Sequence, residues 1–127
     1  MKSRLSLGKQ DKLRHSRQFR EVYTRGRRFS GPHLTIILMP NQLYVSRLGL
    51  MVSKKQFKLS TQRHFIQRRL REAYRLNKAR FLPGYDIIIS VQKFNKDKIG
   101  FEDIKEELLS LAQKAGILKS KPDNLDS

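Results

Sequence analysis

Arg63-His64-Phe65-Ile66-Gln67-Arg68-Arg69-Leu70-Arg71-Glu72-Ala73-Tyr74-Arg75 carries two patterns at once. At about 100° per residue, Ile66, Leu70 and Ala73, with Phe81 further on, gather on one side of a helix as its buried stripe. His64, Arg68, Arg71 and Arg75 recur at spacings of four, three and four, so they stack along a second stripe, about 145° from the apolar one. A helix with these two faces must lie on a core and turn its arginines outward. The segment from about Thr61 to Phe81 is therefore read as a surface helix, entered through a Ser60 or Thr61 cap and stopped by Pro83-Gly84.

Arginine suits such a row, because its planar guanidinium grips two phosphate oxygens or stacks on a base and stays charged at any physiological pH. Arg63, Arg68, Arg69, Arg71 and Arg75 lie beside Lys54, Lys55 and Lys58 of the preceding polar connection. They repel one another unless a polyanion relieves them. Glu72, the single acid of the stretch, falls toward the flank of the basic stripe, so neutralisation within the helix is expected to be weak. A merely solvated charged face is the bland alternative, and this concentration of charge argues against it.

The rest of the chain supplies what the helix packs on. Tyr85 to Val91 is a near-continuous apolar run, as expected of a central strand buried on both faces and suited to parallel pairing. Upstream, His33 to Met39 reads as a strand that runs into a hairpin turn at Pro40-Asn41. Leu43 to Val52 is the next strand, in which Leu48, Leu50 and Val52 alternate with Gly49, Met51 and Ser53 and should bury one face. A short first helix from Ser16 places Phe19, Val22 and Tyr23 at helical spacing and stops at Gly26, before a basic loop from Arg25 to Arg28. Phe101 to Ala115 repeats the amphipathic pattern and ends at Gly116. The order helix, strand, strand, helix, strand, helix leaves room for one more short strand before the basic helix. It gives an α/β (α+β) class, a two-layer sandwich with the helices on one sheet face and the other face available to a ligand.

Composition sets the bounds. The 127 residues include 28 Lys+Arg against 11 Asp+Glu, a formal net charge of +17, which points to a polyanionic partner. With 38% hydrophobic residues the chain can build one modest core. Residues 12–118 are read as a single domain, 1–11 as a flexible basic arm and 119–127 as a disordered tail. No stretch approaches the roughly 20 apolar residues of a membrane span, and the basic start lacks an apolar signal region, so a soluble cytoplasmic protein without membrane contact is expected. The absence of Cys excludes disulfides, thiolate metal sites and thiol nucleophiles. His15, His33 and His64 are scattered, and neither a His-Glu-x-x-His spacing nor a Gly-rich phosphate loop is present. No catalytic residue and no metal site are expected in the chain itself. Phe19 and Tyr23 form an i,i+4 aromatic pair near His15, Arg17 and Arg20. One ring is expected in the core and the other exposed for stacking on single-stranded bases.

The basic helix resembles the signature helix of the bacterial ribonuclease P protein component, whose usual pattern is Arg-Asn-x-Ile-Lys-Arg-x-x-Arg-Glu-x-Phe-Arg. The strand Leu48-Gly49-Leu50-Met51-Val52-Ser53-Lys54-Lys55, the helix Phe19-x-x-Val22-Tyr23-x-x-Gly26 and the strand Tyr85-Asp86-Ile87-Ile88-Ile89 match in the same order. The resemblance covers about Lys12 to Leu118. It implies the two-layer sandwich, with the basic helix in a left-handed βαβ crossover shared with a ribosomal-protein domain. It implies a role as well, that of protein subunit in a ribonucleoprotein endoribonuclease that removes the 5′ leader of precursor tRNA. The catalytic RNA would bind Lys54, Lys55, Arg63, Arg68, Arg71 and Arg75, to which the charge pattern of the helix and its preceding connection adds Lys58, His64 and Arg69. The single-stranded leader would enter a cleft that includes Phe19 and Tyr23, with His15 beside it. Magnesium ions would be held by the RNA subunit and the substrate. No obligate protein partner is implied. His64 stands where Asn is usual and Gln67 where Lys is usual, which replaces one amide contact and removes one phosphate charge. The alternative is a structural or ribosome-associated RNA-binding protein with no part in cleavage, which would need no aromatic cleft. A DNA-binding recognition helix would call for a helix-turn-helix, and the sequence has none.

Overall fold

A computed structural model describes residues 16–91 and 100–119. The expected arm, most of the expected tail and His15 lie outside these residues. In chain order the elements are α1 (Ser16–Arg25), β1 (Arg27–Ser30), β2 (Leu34–Pro40), β3 (Arg47–Val52), α2 (Ser60–Leu76), a short 3-10 turn (Lys78–Arg80), β4 (Tyr85–Val91) and α3 (Phe101–Ala115). The four strands form one sheet in the order β1-β2-β4-β3.

The uninterrupted apolar run takes the centre of that sheet. Ile87, Ile88 and Ile89 are 1%, 0% and 0% exposed, so β4 needs cover on both faces and a partner on both edges. It runs antiparallel to β2, with Ile36 opposite Ile89, and parallel to β3, with Leu48 opposite Ile87 and Leu50 opposite Ile89. The expected β2–β3 hairpin is therefore absent, because β4 lies between the two strands. The half-buried β3 takes the edge, and α2 makes the crossover from β3 to β4.

Three boundaries also differ from the sequence reading. Part of the basic loop is an edge strand, in which β1 pairs with β2 with Arg28 opposite Ile37. Short charged strands suit sheet edges and leave little periodicity to read. The strand expected from Leu43 begins only at Arg47, because Asn41 organises a turn before it: its Oδ1 accepts from Leu43 N and its Nδ2 donates to the Val45 carbonyl. Helix α2 ends at Leu76 rather than Phe81, where Asn77 takes the cap and its Nδ2 donates to the Ala73 carbonyl at 2.9 Å. Phe81 is still buried, by bridging to Leu118 and setting its ring 4.9 Å from that of Tyr74.

One face of the sheet carries the main core. Leu34, Ile36, Leu38, Ile87 and Ile89 meet Ile66, Leu70, Ala73 and Tyr74 of α2 and Ile104, Leu108 and Leu111 of α3. Truncating a residue such as Leu70, 1% exposed, would cost about 2–5 kcal/mol. The expectation that all helices share this face fails for α1. Ile37 and Ile88 point to the opposite side, and Val22 of α1 covers them, with Phe19, Met39 and Met51 packed alongside. Gly26 ends α1 where its backbone passes so close to Ile37 and the Leu38 carbonyl that a Cβ would clash at 2.9 Å. A β-strand turns alternate residues to opposite faces, so Ile37 and Ile88 demanded a second cover. None of the described helices is long and apolar enough to cross a membrane.

Candidate nucleic-acid interface

Two surfaces carry the candidate residues. The first is the outer face of α2 with the connection before it. Ser53 shapes that connection: its carbonyl accepts from Phe57 N at 2.9 Å and its Oγ accepts from Lys55 N at 3.0 Å. Phe57 is buried in the main core and anchors the loop, while Lys54, Lys55 and Lys58 stay exposed. The helix then starts without a side-chain cap. Leu59 is the N-cap and its carbonyl accepts from Gln62 N and Arg63 N, so neither Ser60 nor Thr61 plays the expected part. The end is held by Arg63 instead, whose Nη1 donates to the carbonyls of Phe57 at 2.8 Å and Lys58 at 3.1 Å. Arg63 thereby positions the lysine loop against the helix.

His64, Arg68 and Arg71 are exposed on the stripe that the spacing predicts, and among the described residues none of them meets an acidic side chain. Arg75 differs. Its Nε donates to Glu72 Oε1 at 3.2 Å and its Nη2 donates to Oε2, an i,i+3 pair. The hydrogen bond from Arg75, with the nearby charges of Arg75 and Arg69, holds the Glu72 carboxyl below the usual carboxylate range. Glu72 therefore neutralises the C-terminal end of the row more than its flank position suggested. Arg69 lies off the row, with its guanidinium 5.1 Å from the centre of the Phe65 ring. The connection and the helix thus present Lys54, Lys55, Lys58, His64, Arg68 and Arg71 together.

The second surface is the sheet face under α1. Phe19 is half-buried against the Val22, Ile37 and Ile88 cluster, whereas Tyr23 is 39% exposed. The pair thus divides into one ring for the core and one for solvent. Arg28 of β1 lies over the Tyr23 ring, 4.5 Å from its centre, and its Nη2 donates to the Tyr23 carbonyl at 2.5 Å. This clamp is absent from the sequence reading. Its signal would have been a third element, since an edge strand following Gly26 brings position 28 back beside position 23. The far end of the same face is closed by ionic contacts: Arg47 Nε and Nη2 donate to Asp86 Oδ1 and Oδ2, both at 2.7 Å. Asn41 Nδ2 donates to Asp86 Oδ1 at 2.9 Å. The Asp86 carboxylate raises the Arg47 pKa above its ordinary value, against a smaller opposing effect of burial.

His33 joins neither surface. Its Nδ1 is 2.9 Å from Glu107 Oε1, while the backbone amides of His33 and Leu34 donate to Oε2 of the same carboxylate and tie α3 to the start of β2. Among the described residues no three His, Asp or Glu side chains converge in a way that could hold a metal ion.

Residues 7–116 match the family model described as Ribonuclease P. The chain is 37% identical over 110 residues to the ribonuclease P protein component of Clostridium botulinum (strain Loch Maree / Type A3), an alignment that covers 86% of this chain and 97% of that protein. It is 34% identical over 113 residues to the ribonuclease P protein component of a Picosynechococcus species, covering 89% of this chain and 97% of that protein. Among solved structures, the RNase P protein from Thermotoga maritima superposes with a TM-score of 0.72 at 28% identity, over 81% of this chain and 96% of that one. The Staphylococcus aureus RNase P protein shares the fold, with a TM-score of 0.76 at 24% identity over 86% of this chain and 98% of that one.

Proposed function

The chain belongs to the family of bacterial ribonuclease P protein components, and on that premise we propose that it is the protein subunit of a ribonucleoprotein endoribonuclease in the cytoplasm. It binds the catalytic RNA through the outer face of α2 and the lysine loop. It holds the single-stranded 5′ leader of precursor tRNA against the α1 side of the sheet, and so assists removal of the leader. One observation carries the reading: His64, Arg68 and Arg71 stand exposed in a row beside Lys54, Lys55 and Lys58, with no acid facing them among the described residues. Such a row is stable next to phosphates and self-repelling without them.

The protein's part in the reaction is grip and orientation. Arg68 and Arg71 neutralise phosphates, and each neutralised phosphate releases counterions, about 0.7 per contact for a single strand. Tyr23, held by Arg28, offers an exposed ring to an unpaired base, and Phe19 fixes the helix under it. Magnesium, if it activates the attacking water, belongs with the RNA and substrate in this proposal. A hard dication needs converging oxygen ligands, and the basic row of α2 would repel it.

The test is magnesium-dependent cleavage of a precursor tRNA by a bacterial ribonuclease P RNA at near-physiological salt, with and without the purified protein. Stimulation by the wild type that is lost in the Arg68→Ala/Arg71→Ala variant is expected. Tight RNA binding without stimulation would instead make this a structural RNA-binding protein.

A further inference from the structure

Helix α2 has a third face. Phe65, 41% exposed, lies about 60° around the helix from Arg68 and on the side away from Ile66, Leu70, Ala73 and Tyr74. A phenyl ring left partly exposed on a helix crowded with cations forfeits part of the burial that a large apolar side chain normally obtains. Arg69, one turn on, sets its guanidinium over the ring at 5.1 Å from the centre. Ring and guanidinium are both planar and polarisable, so the pair begins a stack beside the phosphate-binding row to which a further flat group can be added.

We propose that Phe65 and Arg69 form a stacking platform for an unpaired nucleobase of the RNA strand whose phosphates lie along Arg68 and Arg71. The proposal rests on the RNA-binding reading of α2 and adds to it a contact to a base. Charge fixes the occupant. A strand drawn to Arg68 and Arg71 brings its bases within reach of a ring about 60° away, whereas an apolar protein partner would have to bury the exposed arginines on either side. Tyr44, at 98% exposure the most exposed aromatic among the described residues, has no such setting. Arg47, the arginine nearest to it in sequence, is committed to Asp86.

The experiment compares a single-stranded oligoadenylate with an abasic phosphodiester strand of the same length, titrated against the full chain. Phe65→Leu keeps apolar bulk without a π face, and thermal unfolding checks that it folds as the wild type does. On the oligoadenylate Phe65→Leu should bind about tenfold more weakly, with an unchanged dependence on salt, and on the abasic strand it should match the wild type. Phe65→Tyr should restore binding. The chain contains no Trp, so Phe65→Trp supplies a single tryptophan, excited selectively above the tyrosine absorption, whose emission the oligoadenylate should quench and the abasic strand should not. Equal binding of wild type and Phe65→Leu to the oligoadenylate would overturn the platform, and so would an equal loss on both strands. The broader reading fails separately: if Arg68→Ala/Arg71→Ala binds both strands as the wild type does, the row is not a phosphate site, whatever Phe65 does.

Discussion

Arginine is used in opposite ways on the two sides of this molecule. On α2, Arg68 and Arg71 stand in water without an acidic partner among the described residues. On the sheet face beneath α1, Arg47 is 18% exposed and locked by two hydrogen bonds to Asp86, itself 7% exposed. An unpaired exposed charge contributes little to the fold and is available to a ligand. A buried paired charge is part of the fold, because removing either member leaves the other desolvated and uncompensated. The same residue type is therefore left available to a ligand in one place and is part of the architecture in the other, and burial with partnership decides which.

The sharpest break of that contrast comes from the buried side. Asp86→Ala should destabilise the protein by about 3 kcal/mol, measured by denaturant unfolding, because Arg47 and Asn41 lose their shared acceptor. Replacing the pair together, Asp86→Leu with Arg47→Met, should recover most of that loss. A single substitution as mild as the double one would mean that the pair is not a structural unit. On the exposed side the signature inverts. Arg68→Ala/Arg71→Ala should leave the unfolding midpoint nearly unchanged and weaken RNA binding on the order of 100-fold, since hydrogen bonds to charged groups are each worth about 1.5–3 kcal/mol. The salt dependence should flatten by about 1.4 in log–log slope, two contacts at about 0.7 each. Loss of stability without loss of slope would exchange the two roles.

The two sides also differed in how much of them the sequence revealed. The row on α2 lies within one helix, where a period of 3.6 residues turns spacing directly into a face. His64, Arg68, Arg71 and the core stripe of Ile66, Leu70 and Ala73 all fall where that period puts them. The central place of β4 was legible for a similar reason, since no edge strand tolerates a run such as Ile87-Ile88-Ile89. The sheet face beneath α1 was less legible because it is assembled from distant segments. Arg28 meets Tyr23 only because β1 folds back as an edge strand. Asp86 meets Arg47 only because β4 enters between β2 and β3. The helix ends were missed where a backbone acceptor replaced a side-chain cap, as at Leu59, or where Asn77 stopped α2 ahead of the stronger Pro83-Gly84 signal.

The aromatic clamp lies between the two extremes, being partly exposed and partly held. Tyr23→Ala should weaken binding of a single-stranded leader oligonucleotide about tenfold, the value of one stacked base, while Tyr23→Phe should bind almost as the wild type. Arg28→Ala removes the cation over the ring but leaves the ring itself, so a loss of about threefold is expected, from a cation–π contact worth roughly 0.5–1 kcal/mol at an exposed site. Neither change should alter the salt slope as the α2 double variant does. If Tyr23→Phe were as weak as Tyr23→Ala, the hydroxyl rather than the ring would be the contact.

Glu72 provides the smallest test and the finest one, because it is the point at which α2 pairs one of its own arginines. Glu72→Gln removes the carboxylate that holds Arg75. RNA affinity should rise about two- to fivefold, the scale of one exposed ion pair, and the salt slope should steepen by up to about 0.7 if Arg75 then takes a phosphate. Acid should imitate the substitution only at low pH. Arg75 holds the Glu72 carboxyl below the usual carboxylate range, so the pair persists throughout neutral and mildly acidic conditions. It is lost as pH falls through that lowered value, when the carboxyl takes up a proton and releases the guanidinium. The ratio of Glu72→Gln to wild-type affinity should therefore stay constant from about pH 8 to pH 5 and approach unity only below the ordinary carboxylate range. Other titrating groups cancel in that ratio because both proteins share them. A ratio already closing through the ordinary glutamate range, about pH 4 to 5, would show that Glu72 is not held by Arg75 in solution.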